Sequence, residues 1–298
     1  MNLPVRNAMT VDVEDYFQVQ AFACCIGRNA WDGIASRVEG NVDRILDQFE
    51  SLGITATFFT LGWIAERHRP MVRRIVAAGH ELASHGYDHT RADAQDPICF
   101  HEDISRTRQL LEEVGGVPVQ GYRAATFSIG SRNQWAYRAL VEAGYRYSSS
   151  VNPIRHDLYG MAHAPREPHR PDCREIWEIP MTTVRAFGRN WPCSGGGYFR
   201  LMPYRVFRRG LIHVNRSEQR PGIFYFHPWE IDPEQPRVGC CGWKSRIRHY
   251  TGLSRMPGRL NRLLREFSWD RMDRVFADLI GAAGEPSRNA AELIASDG

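Results

Sequence analysis

The chain has 298 residues, 43% hydrophobic and 24% charged, with a formal net charge of +4. This is ordinary globular usage, and a chain of this size buries a full core without disulfide or metal staples, which excludes disorder for most of it. No apolar run approaches the roughly 18 residues that span a bilayer; the strongest, residues 54–65, is interrupted by threonines.

From residue 8 the chain alternates short β-branched or aromatic runs with helical periodicity. Residues 8–13 predict a first strand. Val42, Ile45, Leu46, Phe49 and Leu52 keep the spacing of one helical face, and Gly53 is placed to stop that helix. Residues 54–61 (ITATFFTL) read as a strand buried on both faces, as in a parallel sheet. A helix over 70–78 and a strand over 80–84 follow. Ile104, Thr107, Leu110, Leu111 and Val114 mark the next helix, then come a strand (119–123), a helix (134–143) and a strand (146–150). Residues 156–174 read as an ordered loop, 175–180 and 222–227 as later strands, with a helix near 204–215 between them. Strands alternating with helices imply a parallel sheet with crossover helices. Without a Gly-rich dinucleotide loop, the expectation is an α/β fold of the distorted (β/α) barrel type. Residues 1–234 are expected to form it. Residues 235–298 are expected to be an extension packed on it: a loop, then helices over 258–267 and 269–281, with about the last fifteen residues frayed.

Seven cysteines, including the adjacent pairs Cys24–Cys25 and Cys240–Cys241, have no zinc-ribbon spacing and read as reduced and structural. Lysine occurs once, at Lys244, so arginine carries nearly all the positive charge. The basic stretches lack the aromatic interleaving of a nucleic-acid module and read as solvated helix faces. The first residues contain no apolar signal-peptide core, so the expected location is the cytoplasm.

Four constellations fall at predicted strand ends, where a parallel barrel places its active site. Asp12, Glu14 and Asp15 crowd three carboxylates into four residues. A cation, a shared proton or a helix N-terminus to cap would relieve their repulsion. His85 and His89, in SHGYDH, have the i, i+4 spacing of one face of a helical turn and can hold one divalent metal through neutral imidazoles. Joined with the carboxylates they make a three-ligand set that leaves a position for water, the catalytic pattern. Arg123 can orient a neighbouring carboxylate, or stand in a structural ion pair. His227, ending the run FYFH, is a candidate acid or base, or a packed core histidine.

The ordered blocks TVDVED, SHGYDH, YRAATFSI and FYFHPWEID, spread over residues 8–230, resemble the polysaccharide deacetylases of carbohydrate esterase family 4, the NodB-homology domain. The run GGGYFR and the Arg-rich tail resemble the subgroup linked to exosortase (PEP-CTERM) exopolysaccharide loci. The resemblance implies a barrel, often seven-stranded, and removal of N-acetyl groups from N-acetylhexosamine residues of a polysaccharide or its lipid-linked precursor. It implies one divalent metal, Zn2+, with Co2+ or Ni2+ able to serve. The family's first motif usually reads Thr-Phe-Asp-Asp-Gly; here Asp12 is followed by Val13, and Glu14 takes the next inward position. The roles carried over are Asp12 as base, Glu14 with His85 and His89 as metal ligands (Asp15 the lesser candidate), Arg123 as the residue that steadies the base, and His227 as general acid. A backbone N–H just after Arg123 is expected to meet the oxyanion. Tyr198 and Trp229, with Phe199 and Trp191 nearby, are candidates for a sugar-stacking platform, core packing being the competing reading. Residues 175–180 stand where the fourth motif belongs, without an assigned catalytic residue.

The implied partner is an N-acetylated glycan, with peripheral association to the inner membrane or to an exopolysaccharide assembly complex compatible with it, and no nucleic acid. The alternatives are a cyclic amide or imide hydrolase of the allantoinase kind, a peptidoglycan deacetylase and a non-catalytic glycan-binding barrel.

Overall fold

In the computed structural model, which describes residues 5–239 and 242–281, β1 (Arg6–Val13) is buried at every position after its first residue. Successive side chains of a strand point to opposite faces. Met9, Val11 and Val13 therefore join the main core under the helices, while Ala8 joins a second core inside the barrel, and Thr10 and Asp12 continue that inner face. β2 (Thr57–Thr60), β3 (Glu81–Ser84), β4 (Gly121–Tyr122), β5 (Tyr147–Ser148) and β6 (Trp177–Glu178) follow in parallel order on one side of β1. β7 (Thr183–Ala186) and β8 (Arg189–Pro192) form a separate antiparallel hairpin, and β9 (Ile223–Phe226) pairs in parallel with the other edge of β1. The seven strands β9–β1–β2–β3–β4–β5–β6 thus curl into a distorted (β/α) barrel. β6 and β9 do not pair; there the amide of Ile223 donates to Thr182 Oγ1 at 2.6 Å.

The helices on the outer face are α1 (Val38–Leu52), α2 (Gly62–Arg67), α3 (Arg69–Ala77), α4 (Pro97–Gly115), α5 (Trp135–Glu142), α6 (Gly196–Leu201) and α7 (Tyr204–Arg216). The C-terminal part supplies α8 (Trp243–Tyr250), α9 (Met256–Glu266), α10 (Met272–Val275) and α11 (Ala277–Gly281). Among the described residues no helix is long and apolar enough to cross a membrane.

Three expectations change. The single helix over 269–281 is instead β10 (Ser268–Asp270), parallel to the start of β1, followed by α10 and α11. The apolar spacing of Met272, Phe276 and Ile280 is helical, and those residues close the inner core of the barrel, but the helix is interrupted at Phe276, whose backbone leaves helical geometry (φ −113°, ψ 27°). The C-terminal part is therefore not only packed on the barrel, since β10 is a strand of its sheet. α8 also lies where a loop was expected. Cys240, Cys241 and the tail expected to fray lie outside the described residues.

His80, just before β3, is 5% exposed, packs at a tilt against Phe58 and Phe49, and accepts the amide of Ala56 at Nδ1. Burial, assisted by Arg271, pulls its pKa from 6.5 down to about 4. The fold binds the neutral ring, so this contribution is complete above pH 6.5 and is lost as pH falls toward 4. About 3 kcal/mol should disappear over that interval. Urea denaturation from pH 7 to pH 4 should therefore be flatter for His80→Asn, which keeps an acceptor but does not titrate, than for the parent chain.

Candidate active site

The parallel register brings the C-terminal ends of β1, β2, β3, β4 and β9 to one rim. Asp12 lies opposite Phe59, Ser84 opposite Tyr122, and Val11 opposite Phe226. Residues 12–14, 85–89, 123–127 and 227–230 follow at that rim, and from them Asp12, Glu14, His85, His89, Thr126 and His227 help line a cavity of about 200 Å³.

Arg123, 0% exposed, does not itself line the cavity but lies beneath Asp12, which does. Its Nη1 donates to Asp12 Oδ1 at 2.5 Å and to Thr10 Oγ1 at 2.8 Å, Nε donates to the Ser149 carbonyl, and Nη2 to Ser149 Oγ. The guanidinium carbon lies 4.0 Å from the centre of the Phe59 ring, a cation–π contact out of water. Asp12 is therefore held in one orientation by a partner that cannot turn away.

Glu14 follows Asp12 on the same side. Its Oε1 is 3.1 Å from Nε2 of both His85 and His89 and 3.5 Å from His227 Nε2. Burial alone would push its pKa up. His89 and His227, with the rings of His85 and His89 close against it, reverse this and hold the carboxyl well below the usual carboxylate range. His85 Nδ1 lies 2.8 Å from the carbonyl of Arg123, which can only accept, so Nδ1 carries a hydrogen and Nε2 presents a lone pair toward Glu14 when the ring is neutral. A lone pair facing a carboxylate oxygen calls for a cation between them. The ligand atoms of Glu14, His85 and His89 lie within 4.8 Å of one another, all three residues are buried, and the outer nitrogen of His85 is fixed as metal-bound histidines usually are. This donor set fits a divalent ion. The two histidines do not share a helical turn. They sit on a loop in which Gly86 (φ 75°) and His89 (φ 59°) take left-handed backbone and fold the second ring back onto Glu14.

Asp15 is not part of this set. Its Oδ2 accepts from Ser36 Oγ and from the amides of Arg37 and Val38, and Oδ1 accepts from Tyr16, so it caps the start of α1 from another segment.

His227 ends β9. Its Nδ1 is 2.9 Å from Glu230 Oε1, and Nε2 faces Glu14. Burial would lower its pKa, but the carboxylates of Glu14, Glu230 and Asp12 raise it to about 9. Glu230 itself is 1% exposed; burial opposes its charge, while Arg200 and His227 hold its pKa below the ordinary value. Sequence reasoning missed both Glu230 and Arg200. The signal for Glu230 was its place three residues after His227 in HPWE.

The platform candidates separate. Trp229 lines the cavity but is only 6% exposed, because it stacks on His227 at 5.1 Å and on His249 at 4.1 Å between ring centres. Tyr198 does not line the cavity; Tyr159 does. Phe199 is core and Trp191 is on the β7–β8 hairpin. The first amide after Arg123, that of Ala124, donates to Ser150 Oγ and is engaged. The amides of Ala125 and Thr126 open a 3-10 turn, where no acceptor within the turn is in reach. Thr126 and Phe127 there have φ of 55° and 49°, backbone that concentrates at ligand clamps.

Residues 31–148 match the polysaccharide deacetylase family model, and residues 149–277 match a model described as a domain of unknown function, DUF3473. The peptidoglycan deacetylase of Helicobacter pylori is 26% identical over 113 residues, 38% of this chain and 38% of that protein. The peptidoglycan-N-acetylglucosamine deacetylase of Bacillus cereus is 32% identical over 73 residues, 24% of this chain and 26% of that protein. The chain thus matches well under half the length of these relatives. A Mycobacterium smegmatis structure described as a "putative polysaccharide deacetylase" shares the fold, with a TM-score of 0.60 at 17% identity over 96% of this chain and 95% of that one.

Equilibrium dialysis against Zn2+ should give one bound ion per chain. Since losing even an outer partner of a metal ligand costs about 10–100-fold in affinity, His85→Ala and Glu14→Gln should each lose about 100-fold or more. Asp15→Asn should bind as the parent does.

Proposed function

We propose that this chain, a polysaccharide deacetylase by the domain over residues 31–148, hydrolyses the acetamido group of N-acetylhexosamine residues in a glycan. The observation that carries the reading is the arrangement at the rim: a carboxylate fixed by a buried arginine and an imidazole fixed by a buried carboxylate, on either side of Glu14, His85 and His89. Such a pairing of base, acid and metal-capable donors suits amide hydrolysis and is more than a binding barrel needs. The relatives named above act on N-acetylated cell-wall glycan, which supports the same acyl group here. The resemblance carried by GGGYFR supports an exopolysaccharide, or its lipid-linked precursor, as the natural glycan.

Glu14, His85 and His89 would hold one divalent ion, Zn2+ in our assignment, which supplies Lewis-acid charge that acidifies water and polarises the acetamide carbonyl. Asp12 takes the proton of the attacking water at Oδ2, its Oδ1 being engaged by Arg123. The amides of Ala125 and Thr126, at the open start of their 3-10 turn, donate to the oxyanion as the carbonyl becomes tetrahedral. His227, its Nδ1–H directed at Glu230, gives its Nε2 proton to the departing amine. Acetate and a free amino sugar result.

Acetate release from N-acetylglucosamine oligomers should vanish with a chelator and return with Zn2+. Asp12→Ala and His227→Ala should each lower kcat by about 10²–10⁴-fold with the metal retained. Activity within tenfold of the parent for either variant would overturn that residue's role.

A further inference from the structure

Arg200 closes the GGGYFR run, is 1% exposed and takes part in none of the steps above. Its Nε donates to Glu230 Oε2 at 2.6 Å, while Glu230 Oε1 holds His227. Its Nη1 donates to the carbonyls of His249 at 2.8 Å and Thr251 at 2.6 Å, and Nη2 to that of Arg248 at 3.2 Å. These carbonyls belong to the C-terminal end of α8, where a helix leaves acceptors unpaired and its dipole is negative. One guanidinium therefore ties the carboxylate behind His227 to the helix whose Arg248 and His249 line the cavity.

The glycines ahead of Arg200 are shaped to this contact. A Cβ on Gly196 would fall 2.2 Å from Glu230 Oε1, and one on Gly195 would fall 2.7 Å from the ring of Tyr225. The run can close on the carboxylate only without side chains at those positions. On the other side of the site, His249 stacks on Trp229 and Trp229 on His227, so α8 reaches the imidazole by a second, aromatic route. A buried ion pair contributes little net stability over apolar packing of the same volume, so its tight geometry is explained better by what it orients.

We infer that Arg200 is a positioning residue: through Glu230 it fixes the His227 ring with Nε2 toward the reacting group, and the carbonyl end of α8 fixes Arg200. The inference rests on the reading of His227 as proton donor. It gives α8 a task in the reaction, since the acid side of the site is complete only with that helix in place.

The test separates leaving groups, using the full zinc-loaded chain. An amine must be protonated to leave; 4-nitrophenolate leaves without help. Arg200→Met should lower kcat on N-acetylglucosamine oligomers by about 10–100-fold, part of the contribution of a general acid, with KM and zinc content unchanged. Its hydrolysis of 4-nitrophenyl acetate should stay within about threefold of the parent, and Arg200→Lys should recover part of the amide rate. If Arg200→Met does not fold because Glu230 is left unpaired, Arg200→Lys, which keeps the charge but not the fork of contacts, should fold and show a smaller amide-selective loss. Equal loss on both substrates, or no loss on the amide, in the variant that folds would overturn the inference alone. A parent chain that cleaves the ester but releases no acetate from any N-acetylated oligomer would overturn the proposed function along with it.

Discussion

One carboxylate oxygen, Glu14 Oε1, faces three imidazole nitrogens at 3.1, 3.1 and 3.5 Å in a residue only 2% exposed. Such a cluster is stable only with positive charge among its members, and the rest of the rim is arranged around that demand. The Arg123 carbonyl sets which nitrogen of His85 points inward, and left-handed backbone at His89 brings in the second ring. The same arginine, through its guanidinium, directs Asp12 from below. Two buried arginine–carboxylate pairs therefore flank the centre: Arg123 with Asp12 presents the carboxylate itself, and Arg200 with Glu230 presents an imidazole.

The rim is assembled from the whole length of the chain. Asp12 and Glu14 come from the first strand, and His85, His89 and Arg123 from the stretch matching the deacetylase model. His227, Glu230, Arg200 and α8 all come from the stretch matching DUF3473. The second stretch is thus no appendage: it supplies β6, β9 and β10 to the sheet and the acid side of the cavity. In the proposed reaction, removing it would leave Asp12 and the metal-capable donors without His227, the assigned proton donor.

Much of this was legible beforehand because the barrel writes its order into local pattern. Alternation along β1 put Asp12 and Glu14 on one side, and the strands 81–84 and 223–226 ended where histidines were expected. What was not legible depended on contacts between distant segments. The i, i+4 histidines suggested a helical turn, but the rings converge through loop backbone. Asp15 stood as the lesser candidate for the acidic ligand, yet the amides of residues 37 and 38 claim it. Trp229 looked like a sugar platform until His227 and His249 covered it. Arg200 ended the run GGGYFR that carried a family resemblance but had no assigned role, since its partners are Glu230 and the end of a helix more than forty residues away.

The central claim is that three protein ligands hold the ion while Asp12 and His227 stay off it as base and acid. Anomalous diffraction at the zinc edge from crystals of the zinc-loaded protein tests it directly. The account predicts one peak bonded to Glu14 Oε and to Nε2 of His85 and His89 at about 2.0–2.2 Å, with His227 held by Glu230 and outside bonding distance. A peak with His227 as a fourth ligand, or one seated on Asp12 and Asp15, would contradict it.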